Sequence, residues 1–211
     1  ALMADGRWWS HAELNARAEQ LAARLHLAGV RKGDRIGILA LNHLAHFDLL
    51  LAAPKLGFIY TPFNHRLPAE ETAALLAYVR PSLLLVDASN VALAQVFAGP
   101  KVLLQDYPAW LAEAAGKAAP RPALKPDDIH MLLFTGGSTG TPKGALLPYR
   151  QTLANVRATV QGWRLRRSDC AIQATPCFHA ALNVYSTPLL AIGGRVALMP
   201  SFEPGEYLRL M

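Results

Sequence analysis

Apolar residues recur along the chain in alternating blocks, some with helical spacing and others as short continuous runs. In the first block, Ser10 is followed three residues later by Glu13, the spacing of a capping box, and Gly29 supplies a stop. Apolar residues between these signals recur on one helical face. The pattern therefore predicts a helix over residues 11–28.

The same alternation continues to the end of the chain. Short apolar runs predict strands at residues 36–41, 58–63, 82–86, 102–105, 129–134, 145–147, 170–174 and 195–199. Helical patterns lie at residues 44–57, 68–79, 91–97, 108–115, 151–163, 180–192 and 203–211. A succession of strand, helix and strand builds parallel sheets with right-handed crossovers. The sequence therefore predicts an α/β fold with a mostly parallel sheet and flanking helices.

Composition excludes several classes of protein. With 211 residues, of which 52% are hydrophobic and 17% charged, the chain is globular and not disordered. No apolar run approaches the roughly 18 residues of a membrane span, so no transmembrane segment is expected. Cys170 and Cys177 fit neither a redox pair nor a common zinc spacing, so we expect a reducing, cytoplasmic location and no metal site.

The net charge of +6 raises the question of a polyanionic partner. The tightest basic cluster contains only Arg164, Arg166 and Arg167, and no longer run of Lys or Arg occurs. Dispersed arginines of this kind usually form a solvated surface, so no nucleic-acid partner is predicted.

One polar segment follows the predicted strand 129–134 directly. Its residues are Thr135, Gly136, Gly137, Ser138, Thr139, Gly140, Thr141, Pro142, Lys143 and Gly144. Glycines allow backbone N–H groups to converge on one point, hydroxyls add donors, and the lysine adds positive charge. This combination favours a polyphosphate ligand, and the alternative is a polar surface loop without one. The spacing fits neither a Walker A loop nor a dinucleotide fingerprint.

The segment resembles the [ST]-S-G-[ST]-T-G-x-P-K-G motif of the adenylate-forming enzymes, which include acyl- and aryl-CoA synthetases, luciferases and the adenylation domains of peptide synthetases. It departs from that motif at Gly136, where the family usually has serine. Four other segments resemble family motifs in the same order, namely Trp9–Leu14, Lys55–Leu67, Pro176–His179 and Gly193–Arg195. The segment Lys55–Leu67 is typical of the CoA-ligase branch.

The resemblance implies a ligase that uses ATP with Mg²⁺, a carboxylic acid and coenzyme A as co-substrate. Lys143 and His179 are the implied catalytic residues, the first for the leaving pyrophosphate and the second for the acyl pocket. The implied phosphate-binding residues are Thr135, Gly136, Gly137, Ser138, Thr139, Gly140, Thr141 and Lys143. His179 could instead be a satisfied histidine at a helix start. The acid is expected to be fatty or another small apolar acid. The alternatives are an aryl-CoA ligase, an amino-acid adenylation domain, or a non-catalytic nucleotide- or acyl-binding module.

The resemblance also implies how the chain is organised. Residues 31–163 would form one α/β subdomain with a phosphate-binding loop at 135–144, while residues 1–30 and 164–211 would begin a second, incomplete one. Family motifs for the purine and ribose do not occur before Met211, so we expect a truncated, N-terminal part that is inactive alone. Exposed apolar surface on such a part is expected to cause self-association.

Overall fold

The computed structural model describes residues 1–135 and 143–211. Its strands are β1 (Leu2–Ala4), β2 (Arg7–Trp9), β3 (Arg35–Leu39), β4 (Ile59–Pro62), β5 (Leu83–Val86), β6 (Lys101–Leu103), β7 (Ile129–Thr135), β8 (Lys143–Pro148), β9 (Cys170–Gln173) and β10 (Arg195–Leu198). Its α-helices are α1 (His11–Leu27), α2 (Leu44–Leu56), α3 (Ala69–Val79), α4 (Tyr107–Ala112), α5 (Tyr149–Gly162), α6 (Thr187–Ala191) and α7 (Pro204–Leu210).

Two sheets organise these elements. The larger sheet has the strand order β6-β5-β3-β4-β7-β8, and its neighbours run parallel except for the antiparallel pair β7 and β8. The smaller sheet has the order β2-β1-β10-β9, in which only β2 is antiparallel. The predicted α/β class, with mostly parallel sheets and flanking helices, is confirmed.

Buried apolar strands form the centre of the larger sheet. Ile36 and Ile38 of β3 and Leu85 of β5 are fully buried, as expected for parallel strands covered on both faces. Helix α2 packs on β4, and α1 packs on α2 and α4. Helix α1 thus packs on helices that flank the larger sheet, and the proposed subdomain boundary near residue 30 stays a prediction.

The capping box predicted for the first helix is confirmed. The Ser10 hydroxyl accepts a hydrogen bond from the Glu13 backbone N–H at 3.2 Å, and the Ser10 N–H donates to Glu13 Oε2 at 2.7 Å. The other predicted strands and helices agree with the structure to within a few residues, with two exceptions.

The first exception is the predicted helix at residues 91–97, which is wrong. A short 3₁₀ turn, Leu93–Val96, replaces it, and another, Ala88–Asn90, comes just before it. Asp87 Oδ1 accepts hydrogen bonds from the backbone and side-chain N–H groups of Asn90, which closes a tight turn and competes with helical bonding.

The second exception is the predicted helix at residues 180–192. A π-helical turn, Leu182–Ser186, comes before the regular helix α6. The strands β1 and β2 were not predicted either, because each contains only three residues. In the part of the chain that the structure describes, no helix is long and apolar enough to cross a membrane.

Candidate functional site

The carboxyl ends of β3, β4, β5 and β7 lie at one edge of the larger sheet, where ligands bind in open α/β folds. At this edge, β7 ends at Thr135 and β8 begins at Lys143. These two residues are register partners, and the Thr135 hydroxyl donates to the Lys143 carbonyl at 3.3 Å. Both are exposed. The prediction that Thr135, Lys143 and Gly144 belong to a loop is therefore wrong, because ladder pairing extends through them.

Most of the predicted phosphate-binding residues lie outside the described residues. They are Gly136, Gly137, Ser138, Thr139, Gly140 and Thr141. Their assignment stays a prediction, as do the roles of Thr135 and Lys143.

The segment Phe63–Leu67 follows β4 and packs against the end of β7. The Phe63 N–H donates to the Ile38 carbonyl at 2.8 Å, and the Phe63 ring lies 5.6 Å from the Phe134 ring. Gly37 provides the space, since a Cβ at this position would lie 2.8 Å from the Phe63 ring. The segment is thus fixed beside the residue that precedes Thr135.

The same segment contacts the Pro176–His179 motif on its other side. The His65 ring meets the Phe178 ring edge-on, with 5.3 Å between centroids. Asn64 Oδ1 accepts the Arg66 N–H at 2.9 Å, which orders the following turn. Burial, together with the charge of Arg66, lowers the pKa of His65, so this ring is neutral at pH 7. The segment Phe63–Leu67 therefore joins the two motifs that the family resemblance assigns to phosphate and acyl binding.

Asn42 connects the carboxyl ends of the two sheets. Its Nδ2 group donates to the carbonyls of Thr175 and Met199, at 3.0 and 2.9 Å. Its Oδ1 accepts the Cys177 N–H at 2.6 Å, and the side chain is almost completely buried. The position of the residues before His179 therefore depends on a side chain from the larger sheet.

His179 lies at the start of the helical segment that contains the π turn. Its Nδ1 accepts the Ala181 N–H at 3.2 Å, so the proton of the neutral ring is on Nε2. The residue is exposed. One ring nitrogen is thus hydrogen-bonded at the start of a helix, as in the alternative interpretation of His179 as a structural histidine. The Nε2–H group has no part in this bond and can act as a donor. Its catalytic role stays a prediction.

A cavity of about 830 Å³ lies along β9, from Cys170, and extends past the carboxyl end of this strand. Thr175 and Pro176 form one side of this cavity, and three aromatic residues of its lining are Tyr185, Phe202 and Tyr207. Arg66 is the one charged side chain among its lining residues, and it is exposed. We call this space the Arg66 cavity. Its volume lies within the usual range for small-molecule sites, roughly 300–1,000 Å³.

Other candidate groups are structural. The Tyr60 hydroxyl donates to Nδ1 of the buried His46 at 2.7 Å, and His46 Nε2–H donates to the Leu41 carbonyl at 3.2 Å. Cys177 is buried, and burial raises the pKa of its thiol, as expected for a small apolar residue. Within residues 1–135 and 143–211, no group of three His, Cys, Asp or Glu side chains could hold a metal ion.

Two residues of this site were not predicted from the sequence. Arg66 lies in a segment that matches the family, but its neighbours in sequence do not indicate its position at a cavity. Asn42 is a single amide between a strand and a helix, and its partners lie more than 130 residues away. No local signal identifies either role.

The chain was compared with known proteins. The profile of a family described as AMP-binding enzyme matches residues 1–211. A feruloyl-CoA synthase of Amycolatopsis sp is 34% identical over 209 residues, which are 99% of this chain and 42% of that protein. A long-chain-fatty-acid–CoA ligase of Thermus thermophilus is 28% identical, covering 95% of this chain and 40% of that protein.

The fold of the chain is also similar to that of a solved structure. ATP-bound MatB from Rhodopseudomonas palustris superposes with a TM-score of 0.88 and 30% identity, covering 100% of this chain and 44% of that one. The chain therefore spans less than half the length of these proteins.

Proposed function

We propose, because the chain belongs to the AMP-binding enzyme family, that it forms part of an ATP-dependent carboxylic acid–CoA ligase. In this proposal the chain binds the phosphates of ATP and the reacting end of the acid. The family includes CoA ligases, and relatives of this chain are named for both an aryl and a fatty acid.

The main support is the position of Thr135 and Lys143. Both lie at the carboxyl edge of the larger sheet, on paired strands that flank the glycine- and hydroxyl-rich segment. A lysine ammonium at this position would stabilise negative charge on a departing pyrophosphate. The hydroxyls and backbone N–H groups of residues 135–141 would donate to the same phosphates.

The proposed reaction has two steps. A carboxylate oxygen of the acid attacks the α-phosphorus of Mg-ATP, and the bond from that phosphorus to the pyrophosphate oxygen breaks. The products are an acyl-adenylate and pyrophosphate, with Mg²⁺ entering as part of the nucleotide substrate. The sulfur of coenzyme A then attacks the acyl carbonyl, AMP departs with the bonding electrons, and the thiol proton is released.

His179 is proposed to donate a hydrogen bond from Nε2 to the carboxylate of the acid. The hydrogen bond at Nδ1 fixes the neutral tautomer that this role requires. The sequence favoured a fatty acid, with an aryl acid as the alternative. We now favour the aryl acid, because the feruloyl-CoA synthase is 34% identical and the Arg66 cavity has aromatic lining residues.

The test is acid-dependent exchange of labelled pyrophosphate into ATP by the intact protein, across fatty, aryl and amino acids. Exchange with an aryl or fatty acid supports a ligase, whereas binding of ATP without exchange for any acid supports a non-catalytic module. Lys143→Ala should lower exchange by roughly 10²–10³-fold, because it removes one electrostatic contact to the leaving group. The thermal midpoint should change little, since Lys143 is exposed. Exchange at the wild-type rate would contradict the role of Lys143.

A further inference from the structure

We propose that Arg66 binds the carboxylate of the acid substrate and holds it between the phosphate end and the acyl end of the site. This inference rests on the proposed ligase function and assigns a role to a residue that the family resemblance leaves without one.

The first observation is the location of Arg66 in the segment Phe63–Leu67. Phe63 contacts Phe134, which precedes Thr135, and His65 contacts Phe178, which precedes His179. Arg66 therefore belongs to a segment that contacts residues at the carboxyl end of β7 and residues after the carboxyl end of β9. The reactants are expected to meet between these two ends.

The second observation is the chemistry of Arg66. A guanidinium presents a planar set of donors that matches a carboxylate in a bidentate arrangement. Among residues 1–135 and 143–211, no carboxylate lies within salt-bridge distance of Arg66. The carboxylate of Asp87, which influences the neighbouring His65, is already occupied by the N–H groups of Leu41 and Asn90.

The third observation is the composition of the Arg66 cavity. One cationic side chain shares this space with the aromatic residues Tyr185, Phe202 and Tyr207. This arrangement suits a molecule with one anionic end and an apolar, flat body. A nucleotide triphosphate would bring several negative charges to a single arginine, so the acid is the better match.

The test compares Arg66→Gln and Arg66→Lys with the wild-type intact protein in the pyrophosphate exchange assay. Arg66→Gln should raise the KM for the acid about 10- to 100-fold, the range for loss of a charged hydrogen-bonded partner, while the KM for ATP changes less than about 2-fold. Arg66→Lys keeps the charge but loses the bidentate geometry, so its KM for the acid should lie between the values for the wild type and for Arg66→Gln. Arg80 is exposed, as Arg66 is, but does not line the Arg66 cavity, so Arg80→Gln provides a matched control.

Binding of the acid without ATP, measured by calorimetry, gives a second readout that does not depend on turnover. Weaker acid binding by Arg66→Gln, with Arg80→Gln unchanged, supports the inference. An unchanged KM for the acid, or a rise limited to the KM for ATP, overturns it and in the latter case assigns Arg66 to the phosphates. Absence of exchange by the wild-type protein with every acid refutes the ligase function instead, which separates the two failures.

Discussion

Replacing Asn42 tests whether one side chain holds the two sheets in register at the site. Asn42→Ala removes its three side-chain hydrogen bonds, to the Thr175 carbonyl, the Met199 carbonyl and the Cys177 N–H. At about 1–1.5 kcal/mol for each hydrogen bond, the expected loss in the free energy of unfolding is about 3–4.5 kcal/mol. Few substitutions of surface residues lower the free energy of unfolding by this much.

The geometry also predicts the effect of an isosteric change. In Asn42→Asp, a carboxylate oxygen replaces the Nδ2 group that faces two carbonyl oxygens. Two attractive contacts become repulsive, and a negative charge is buried with the Cys177 N–H as the one donor it keeps from this set. The loss of stability should therefore equal or exceed that of Asn42→Ala, although the shape of the side chain is kept.

Urea unfolding of the intact protein, followed by tryptophan fluorescence, measures this loss. Asn15 provides the control, because it is exposed and its side chain accepts one hydrogen bond from Lys55. Asn15→Ala should cost less than about 1 kcal/mol. If Asn42→Ala costs no more than this control, the reasoning that Asn42 joins the sheets is refuted.

The site and the core support four further predictions. His179→Ala should raise the KM for the acid more than the KM for ATP in pyrophosphate exchange, and equal effects on both would indicate a structural histidine. Burial lowers the pKa of His130 to about 4 and that of His46 to about 3, below the unfolded value near 6.5. Between pH 7 and pH 5 the unfolded chain therefore binds more protons than the folded chain. The free energy of unfolding from urea titrations should be lower at pH 5 than at pH 7, by roughly 2 kcal/mol for each histidine. Equal stability at the two pH values would contradict this. Residues 1–211 alone should self-associate in light scattering, because Leu146, Leu153 and other large apolar residues are exposed, and a clean monomer would contradict this. They should also form no acyl-CoA, and turnover that is sensitive to Lys143→Ala would contradict that expectation.

The larger sheet could be predicted because its signals are local. The strands β3 and β5 are short apolar runs, and α1 has both a capping residue and a glycine stop within its own sequence. The strands β1 and β2 could not be predicted, because pairing with β10 and not the local pattern makes them strands. The turns at residues 88–96 escaped prediction for a related reason, since the carboxylate of Asp87 outweighs the helical spacing that follows it.

Only the part of the candidate site with a distinctive local composition could be proposed from the sequence. Glycines, hydroxyls and a lysine make the segment between β7 and β8 a candidate without any tertiary information, and its assignment to phosphates stays a prediction. Asn42 and Arg66 have no such signal in their own sequence, because the contacts of Asn42 and the proposed role of Arg66 depend on what the second sheet brings near them. The hydrogen bond to Nδ1 of His179 likewise depends on the turn that follows it.

The parallel pairing of β1 with β10 has a consequence for synthesis of the chain. Leu2 finds its register partner at Val196, so the residues between them must leave the ribosome before β1 can pair there. The six described strands of the larger sheet have all been made once Pro148 has been added. Long-range strand pairing is slow, and the strand edges stay unpaired and exposed until it occurs. We therefore expect the six described strands of the larger sheet to pair during translation before β1 pairs with β10.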